Sequence, residues 1–429
     1  MLQLQSFLGI FVFLGIAWFF SENRKKVIWQ RVLLGILLQL ALAVLVLGIP
    51  ALGFSGPLNG FFSYANDGIL KLLQFTEDGS VFIFGDLASF SKSGFIIAFQ
   101  VLPIIIFMSS LMTILYYLGL MQKIVYGFAI VMQKFLGLSG AESLAAAANV
   151  FVGQTEAPLI IRPYLNKMTS SELFSMMVGG MATIAGAVMA AYVGLLKDAI
   201  PNIGGHLLTA SILSAPAALV IAKIMVPETK VPETMGRIPK DKDNTYVNVI
   251  EAAAAGASDG VKLAVNVGAM LLAFVAIIAM LDSFFIFSGE KLFVFYDFIT
   301  GSQTHETAPE LSISYLLSWF FMPIGFFIGI PFSELGIAGS MIGKKIVFNE
   351  FIAYLDLAKF TSELNPRTSI LLSYALCGFA NFSSIAIQIG GMGPLIPDRK
   401  KELAQFGIRA VIGGSLAAFI TASVAGLLI

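Results

Sequence analysis

Two glutamates stand where an apolar chain has least room for them. Glu156 lies in Gly153–Ile161, which reads GQTEAPLII, and Glu350 lies in Val347–Leu355, which reads VFNEFIAYL. Each follows a small or amide residue and precedes an apolar run. A carboxylate in an apolar segment costs several kcal/mol and marks a functional site by default. An ionised carboxylate only accepts hydrogen bonds, so the pair suits a partner that presents hydroxyls or ring N–H groups. Neutral groups of mixed donor and acceptor type stand nearby in sequence: Gln154, Thr155, Asn381 and Ser384. No arginine lies within the two motifs, so an anionic solute lacks a counter-charge there and a neutral, hydroxyl-rich one fits better. Phe379 and Phe382 offer aromatic faces for a planar ring, or ordinary packing surface. The plain alternative for either glutamate is an internal ion pair, with Arg162 or with Lys345.

The motifs repeat. GMATIAG at Gly180–Gly186 is similar to GFANFSS at Gly378–Ser384, which sets Thr183 against Asn381. Thr183 follows Glu156 by 27 residues, and Asn381 follows Glu350 by 31. Two motifs in one order, at similar spacing, indicate an internal repeat.

The elements that position these residues follow from composition. Of 429 residues, 57% are hydrophobic and 12% charged, about half the charge of a soluble domain. Charge-free runs long enough to span a bilayer occur at Met1–Ser21, Val32–Asn66, Ser93–Gln122, Leu173–Leu196, Leu263–Leu281, Leu311–Ser333, Thr368–Pro397 and Ala410–Ile429. Long apolar blocks exclude the short alternating strands of a barrel. The expectation is an all-α membrane protein with about eight transmembrane helices plus two re-entrant hairpins in an inverted repeat. The first run has no basic residues before it and no cleavage site after it, so it reads as a span and not a signal peptide. The single Cys377 rules out a disulfide framework, and two histidines, His206 and His305, make a histidine metalloenzyme a poor reading. Zero formal net charge gives no pointer to nucleic acid.

Lysine and arginine mark cytoplasmic connections. Glu22–Arg31, Pro227–Asp243 and Asp398–Glu402 are basic, whereas Asp67–Asp86 and Asp282–Glu310 are acidic. Basic connections inside and acidic ones outside put both termini outside. The helix before Glu156 then runs inward and the helix before Glu350 runs outward, so the two copies are inverted. Inverted repeats with polar motifs in apolar segments are characteristic of secondary transporters, whose site lies where the copies meet. Polar and glycine residues divide Ala141–Lys167 and Pro331–Phe360 into halves too short to span, which reads as two re-entrant hairpins. Met121–Leu138 and Leu311–Ile330 read as the helices that lead into them. Lys344 and Lys345 in the second hairpin oppose an outward placement unless they turn into the protein. The division is residues 1–92 (two helices and an outer connection), 93–226 (first repeat, hairpin 139–167), 227–259 (cytoplasmic connection and start of the sixth helix) and 260–429 (second repeat, hairpin 331–362). GASDG at Gly256–Gly260 reads as a turn leading into a helix.

GQTEAPLIIRPYL, then GKKIVFNEFIAYLDL, then CGFANFSSIAIQIGGMG together resemble the concentrative nucleoside transporter family, bacterial sodium/nucleoside symporters included. The likeness runs from Ser93 to the end. It implies that Gln154, Thr155, Glu156 and Val188 contact the nucleobase, and that Glu350, Asn381, Ser384 and Phe379 hold the ribose. It also implies a coupling ion, Na⁺ in most members, held by the side chains of Asn149 and Thr183 and the carbonyls of Val152 and Ile184. Some bacterial members use H⁺ instead, and Glu156 is then the residue to suspect. The family is a homotrimer in the lipid bilayer that moves its transport body by alternating access. The resemblance thus implies a nucleoside importer of the bacterial cytoplasmic membrane. The hairpins and the helices Leu173–Leu196 and Thr368–Pro397 would form its moving body, on a scaffold made by the rest. A cation channel or exchanger using the same carboxylates is the rival. An enzyme is disfavoured, because no paired intramembrane aspartates, zinc-ligand spacing or phosphate-binding glycine loop occurs.

Overall fold

The computed structural model describes residues 1–239, 246–300 and 310–429. Lys240, Lys242 and Asp243 of the basic connection, and His305 and Glu306 of the acidic one, lie outside the described residues. Among the described residues the secondary structure is helical, with no strand. The first half contains α1 (Leu2–Phe19), α2 (Trp29–Leu47), α3 (Asn59–Phe84), the single turns α4 (Phe90–Ser93) and α5 (Ile97–Gln100), α6 (Leu102–Tyr117) and α7 (Leu120–Leu136). It continues through α8 (Gly140–Asn149), α9 (Ala157–Ile160), α10 (Ser170–Ala182), α11 (Gly186–Leu196) and α12 (Ile203–Met225). The second half contains α13 (Val249–Thr300), α14 (Ile313–Ile328), α15 (Leu335–Val347), α16 (Glu350–Phe360), α17 (Pro366–Ala375), α18 (Phe382–Met392) and α19 (Lys400–Leu428).

Among the described residues, seven helical runs are long and apolar enough to cross a membrane. The expected span Thr368–Pro397 is not one of them, because the chain breaks between α17 and α18. The expected span Leu173–Leu196 is also interrupted, between α10 and α11. One long helix is not among the expected spans, although residues 199–222 are free of charge: α12, almost wholly buried. Its Pro216 sits inside a continuous helix. The expected outer connection Asp67–Asp86 is mostly α3, an amphipathic helix that buries Phe62 and Leu73 and exposes Phe75, Phe82 and Ile83. The acidic segment from Asp282 is likewise the continuation of α13 as far as Thr300.

GASDG is not a turn, because it lies within α13. Gly256 and Gly260, four residues apart, let α13 approach α6 closely. A Cβ at Gly256 would come 2.5 Å from Thr113 Oγ1, and one at Gly260 would come 2.7 Å from the Ile106 Cα. Small residues at this spacing let helix backbones touch in lipid, where no hydrophobic force drives the helices together. Ser110 Oγ adds a 2.9 Å hydrogen bond to the Ala253 carbonyl.

The two ends of each segment expected to form a hairpin are bonded together. At the first base, Ser139 Oγ donates to Glu172, and the Thr169 N–H donates to the same carboxylate at 2.7 Å. Thr169 and Glu172 form a capping box that starts α10. At the second base, the Asn365 N–H donates to Glu334 Oε1 at 3.0 Å. Lys344 turns inward to pair with Asp356 across the two arms, α15 and α16, at 2.6 Å. Lys345 turns inward as well and is fully buried. The two lysines that opposed the outward placement are thus taken up by the protein.

The two interrupted helices cross at their breaks. Thr183 is extended (φ −114°, ψ 168°), as is Asn381 (φ −143°, ψ 167°). The residues matched by the sequence repeat thus occupy matched structural positions. Around this crossing pack α12 and α19, with α1 and α2 outside them. Gly414 of α19 faces Met181 of α10 and Ala380 of the second break at distances that a side chain would not tolerate.

Candidate functional site

The second hairpin delivers Glu350 as the first residue of α16. Asn349 caps that helix, its Oδ1 accepting from the Ile352 N–H at 3.0 Å, so the cap fixes where Glu350 points. The Glu350 carboxylate is buried and accepts two hydrogen bonds, from Tyr192 Oη at 2.6 Å and Asn381 Nδ2 at 2.9 Å. Bonds to a charged acceptor are short and strong, which is how a carboxylate holds its position without a salt bridge. Neither ion pair expected as the alternative forms: Glu350 has none with Lys345 within 4.0 Å, and Glu156 has none with Arg162.

Asn381 works in two directions. Its Nδ2 meets Glu350 while its Oδ1 accepts from the Ser384 N–H at 2.9 Å and from Ser383 Oγ at 2.7 Å. Ser384 Oγ then accepts from Gln154 Nε2 of the first hairpin at 3.1 Å. The path Tyr192–Glu350–Asn381–Ser384–Gln154 runs through both hairpins and both interrupted helices. Gln154 Oε1 and Gln388 Oε1 are buried without a hydrogen-bond partner among the described residues. Gln388 Nε2 is held by the Met177 carbonyl at 2.9 Å. Unmet acceptors of this kind are rare in a folded interior and can receive N–H or O–H donors of a bound solute.

Glu156 stands apart from this path. It is exposed, and its Oε1 accepts from the Thr155 hydroxyl at 3.0 Å. A Cβ at Gly153 would collide with its carboxylate. Thr155 packs over Gly391 of α18, where a Cβ would come 2.7 Å from its methyl group. Val188 is buried on α11, one turn from Tyr192 and on the same face. Phe379 is half-buried at the second break, but Phe382 is 50% exposed at the start of α18. A cavity of about 450 Å³ opens beside the ends of α11 and α16, lined in part by Asp198, Lys197 and Lys359. None of the predicted site residues lines it.

Of the four residues expected to hold an ion, Asn149 and Thr183 both approach Gly179. Asn149 ends α8, is buried, and neither its Oδ1 nor its Nδ2 has a hydrogen-bond partner among the described residues. Its amide lies against Gly179 in the last turn of α10. Thr183 Oγ1 donates to the Gly179 carbonyl at 2.9 Å, which leaves its lone pairs free. Val152 and Ile184 lie in non-helical backbone. The Gly186 N–H donates to the Phe151 carbonyl at 2.9 Å and ties the hairpin tip to the break. An orphaned amide oxygen, a hydroxyl and carbonyls at unwound backbone fit a small hard cation.

The sequence matches the families described as Na⁺ dependent nucleoside transporter N-terminus over residues 8–87, nucleoside recognition (gate) over 98–199, and Na⁺ dependent nucleoside transporter C-terminus over 206–426. It is 39% identical to the nucleoside permease NupC of Helicobacter pylori over 437 residues, covering 100% of this chain and 98% of that protein. The chain belongs to the concentrative nucleoside transporter family. A more distant member, the sodium/nucleoside cotransporter 1 of Mus musculus, is 37% identical and is covered over 64% of its length. The solved structure of CNTnw in an inward-facing substrate-bound state superimposes with a TM-score of 0.88 at 41% identity, covering 100% of this chain and 98% of that one. An outward-facing CNTnw variant gives 0.87 at 40% identity. Concentrative nucleoside transporters are transporters and not enzymes.

Sequence reasoning missed Tyr192, the shortest bond to Glu350. It follows Val188 by four residues and is the one hydroxyl of α11. Gln388 was missed too. It follows Asn381 by seven residues on α18, two helical turns along the same face.

Proposed function

We propose that this chain is a Na⁺-coupled symporter that imports nucleosides across a bacterial cytoplasmic membrane by alternating access. The observation that carries this is the polar path from Tyr192 through Glu350, Asn381 and Ser384 to Gln154, with the orphaned Asn149 beside it. Glu350, Asn381 and Ser384, with Phe379 alongside, receive the ribose. Gln154, Thr155, Glu156 and Val188 receive the base. A hydroxyl bonded to a charged acceptor contributes about 1.5–3 kcal/mol, so loss of the ribose hydroxyls weakens binding strongly. The substrate replaces the Gln154–Ser384 bond with bonds of its own.

Na⁺ is co-transported cargo held by Asn149, Thr183 and the carbonyls of Val152 and Ile184. Its binding fixes the tip that carries Gln154, only two residues beyond Val152, so ion and nucleoside sites are ordered together. Both termini lie outside, and three copies associate in the bilayer. The packing of α12 and α19 onto the crossed breaks supports a moving body larger than the hairpins and interrupted helices alone.

A second reading, H⁺ coupling through Glu156, is favoured by one feature: that carboxylate is exposed and the side chain that donates to it is the neutral hydroxyl of Thr155. Uptake of labelled uridine and adenosine into proteoliposomes separates the readings. An inward Na⁺ gradient should drive uptake that K⁺ does not, with loss in Glu350→Gln. Uptake driven only by a proton gradient would keep the substrate class and remove the Na⁺ site. A current that flows without nucleoside would replace the symporter with a channel.

A further inference from the structure

Ser384, Gln388 and Gly391 follow one another along a single face of α18, at helical spacing. The outer two meet the first hairpin. Ser384 Oγ accepts from Gln154 Nε2 at 3.1 Å, and a Cβ at Gly391 would lie 2.7 Å from the Thr155 methyl carbon. Gln388 stands between them and is 1% exposed. Its amide meets Gln154 over Gly180 of α10. A Cβ at Gly180 would lie 2.8 Å from Gln154 Cβ and 3.1 Å from Gln388 Nε2. Gln388 is thus set beside two of the residues proposed to receive the base.

Chemistry fixes which way this amide faces. Gln388 Nε2 donates to the Met177 carbonyl at 2.9 Å. A carbonyl can only accept, so the nitrogen takes that side and Oε1 the other. That oxygen is buried and has no hydrogen-bond partner among the described residues. Gln154 differs, because its partner Ser384 is a hydroxyl that donates as well as accepts. Gln154 can therefore turn over, whereas Gln388 is a fixed acceptor. A buried acceptor left unpaired is costly, so a ligand that brings it a hydrogen is favoured. A ring N–H brings one hydrogen. An exocyclic amino group brings two, enough for both Gln388 Oε1 and Gln154 Oε1, which is also unmet. An oxo group in the same place brings none and sets oxygen against oxygen.

We propose that Gln388 selects among nucleobases, its Oε1 accepting from the exocyclic amino group of adenosine or cytidine and opposing the oxo group of inosine or uridine. This rests on the proposed nucleoside site and names the base chemistry that the site prefers. Oxo nucleosides remain substrates of lower affinity.

The test is calorimetric titration of the purified protein with adenosine, inosine and purine riboside, in which hydrogen replaces the amino group, and with cytidine against uridine. The native chain should bind each amino nucleoside at least about tenfold more tightly than its partners. Gln388→Met keeps the length of the side chain and removes the acceptor. It should bring the adenosine-to-inosine and adenosine-to-purine riboside ratios to within about threefold of one. A residue that only ties α18 to the Met177 carbonyl would weaken every nucleoside alike, so an unchanged ratio in Gln388→Met overturns the proposal. Should Gln388→Met fail to fold, the native ratios decide: an amino preference supports the proposal, and adenosine and purine riboside bound alike overturn it. Binding without discrimination overturns the role of Gln388 alone, whereas a native chain that binds no nucleoside brings down the nucleoside site and this proposal with it.

Discussion

Gly378 meets the backbone of Ala182 at the point where the two interrupted helices cross. A Cβ on Gly378 would lie 2.7 Å from both the carbonyl carbon and the oxygen of Ala182, and the residue has φ +109°. Both facts demand glycine: L residues pay a steric penalty at such φ, roughly 1–3 kcal/mol, and a backbone neighbour cannot rotate away. Gly378→Ala should therefore lower the melting temperature of the purified protein by several degrees and abolish nucleoside uptake. Native stability in that variant would mean that the helices do not cross this closely.

Tyr192→Phe removes the 2.6 Å bond to Glu350 with little change in volume. The carboxylate then keeps only Asn381, and its position loosens. The loss of one bond to a charged group, about 1.5–3 kcal/mol, corresponds to a rise in uridine KM of roughly ten- to a hundredfold. Stability should fall less than binding, because the ring still stacks on Tyr354 at 4.5 Å. An unchanged KM would reduce Tyr192 to a packing residue.

The contrast between Glu350 and Tyr192 shows what was legible in the sequence. Charged and amide residues inside apolar runs stand out because burying them is costly, so Glu350, Asn381 and Asn149 could be found, and the repeat paired Thr183 with Asn381. Tyr192 is amphipathic, and nothing in an apolar helix distinguishes a tyrosine that packs from one that donates. The breaks were hidden for another reason. Thr183 and Ile184 carry no proline or glycine between them, and Thr183 is extended close to where the Phe151–Gly186 bond ties the break to the tip of the first hairpin. The helix α12 was passed over although it is buried on every side. Its Gly205, His206 and Pro216 are punctuation in a lone sequence, whereas in the fold α2, α10 and α19 pack around it. In α3, Glu77 and Asp78 read as connection, yet they lie on the exposed face of a surface helix.

The base of the first hairpin depends on one lysine. Glu142, 1% exposed, pairs with Lys223 at 2.7 Å, and Glu228 lies 3.6 Å from the same Nζ. Ser171 Oγ accepts from it at 2.9 Å. Removal of one partner from a buried pair strands the other charge, at roughly 3–5 kcal/mol. Lys223→Met should thus be strongly destabilised, and Lys223→Met/Glu142→Gln should regain part of that loss in a thermal melt. Equal stability of the single and double variants would show that the lysine acts by packing its stem alone.

The glycines of α13 separate binding from transport. Gly260 touches the Ile106 backbone of α6, and α6 packs in turn on α11, where Gly194 meets Ile104 and where Val188 and Tyr192 reside. The polar path from Tyr192 to Gln154 includes no residue of α6 or α13. A larger residue at 260 must push α13 off α6, because Ile106 Cα and its carbonyl oxygen stand 2.7 and 3.0 Å from the Cβ position. Gly260→Val should then leave uridine affinity within about threefold of native, since distant sites act nearly independently. The uptake rate should fall steeply, because a carrier moves against a surface and that surface is displaced. Calorimetric titration of uridine beside proteoliposome uptake measures the two separately. Parallel loss of both would place α13 within the binding body and refute the division between a moving core and the α6–α13 pair.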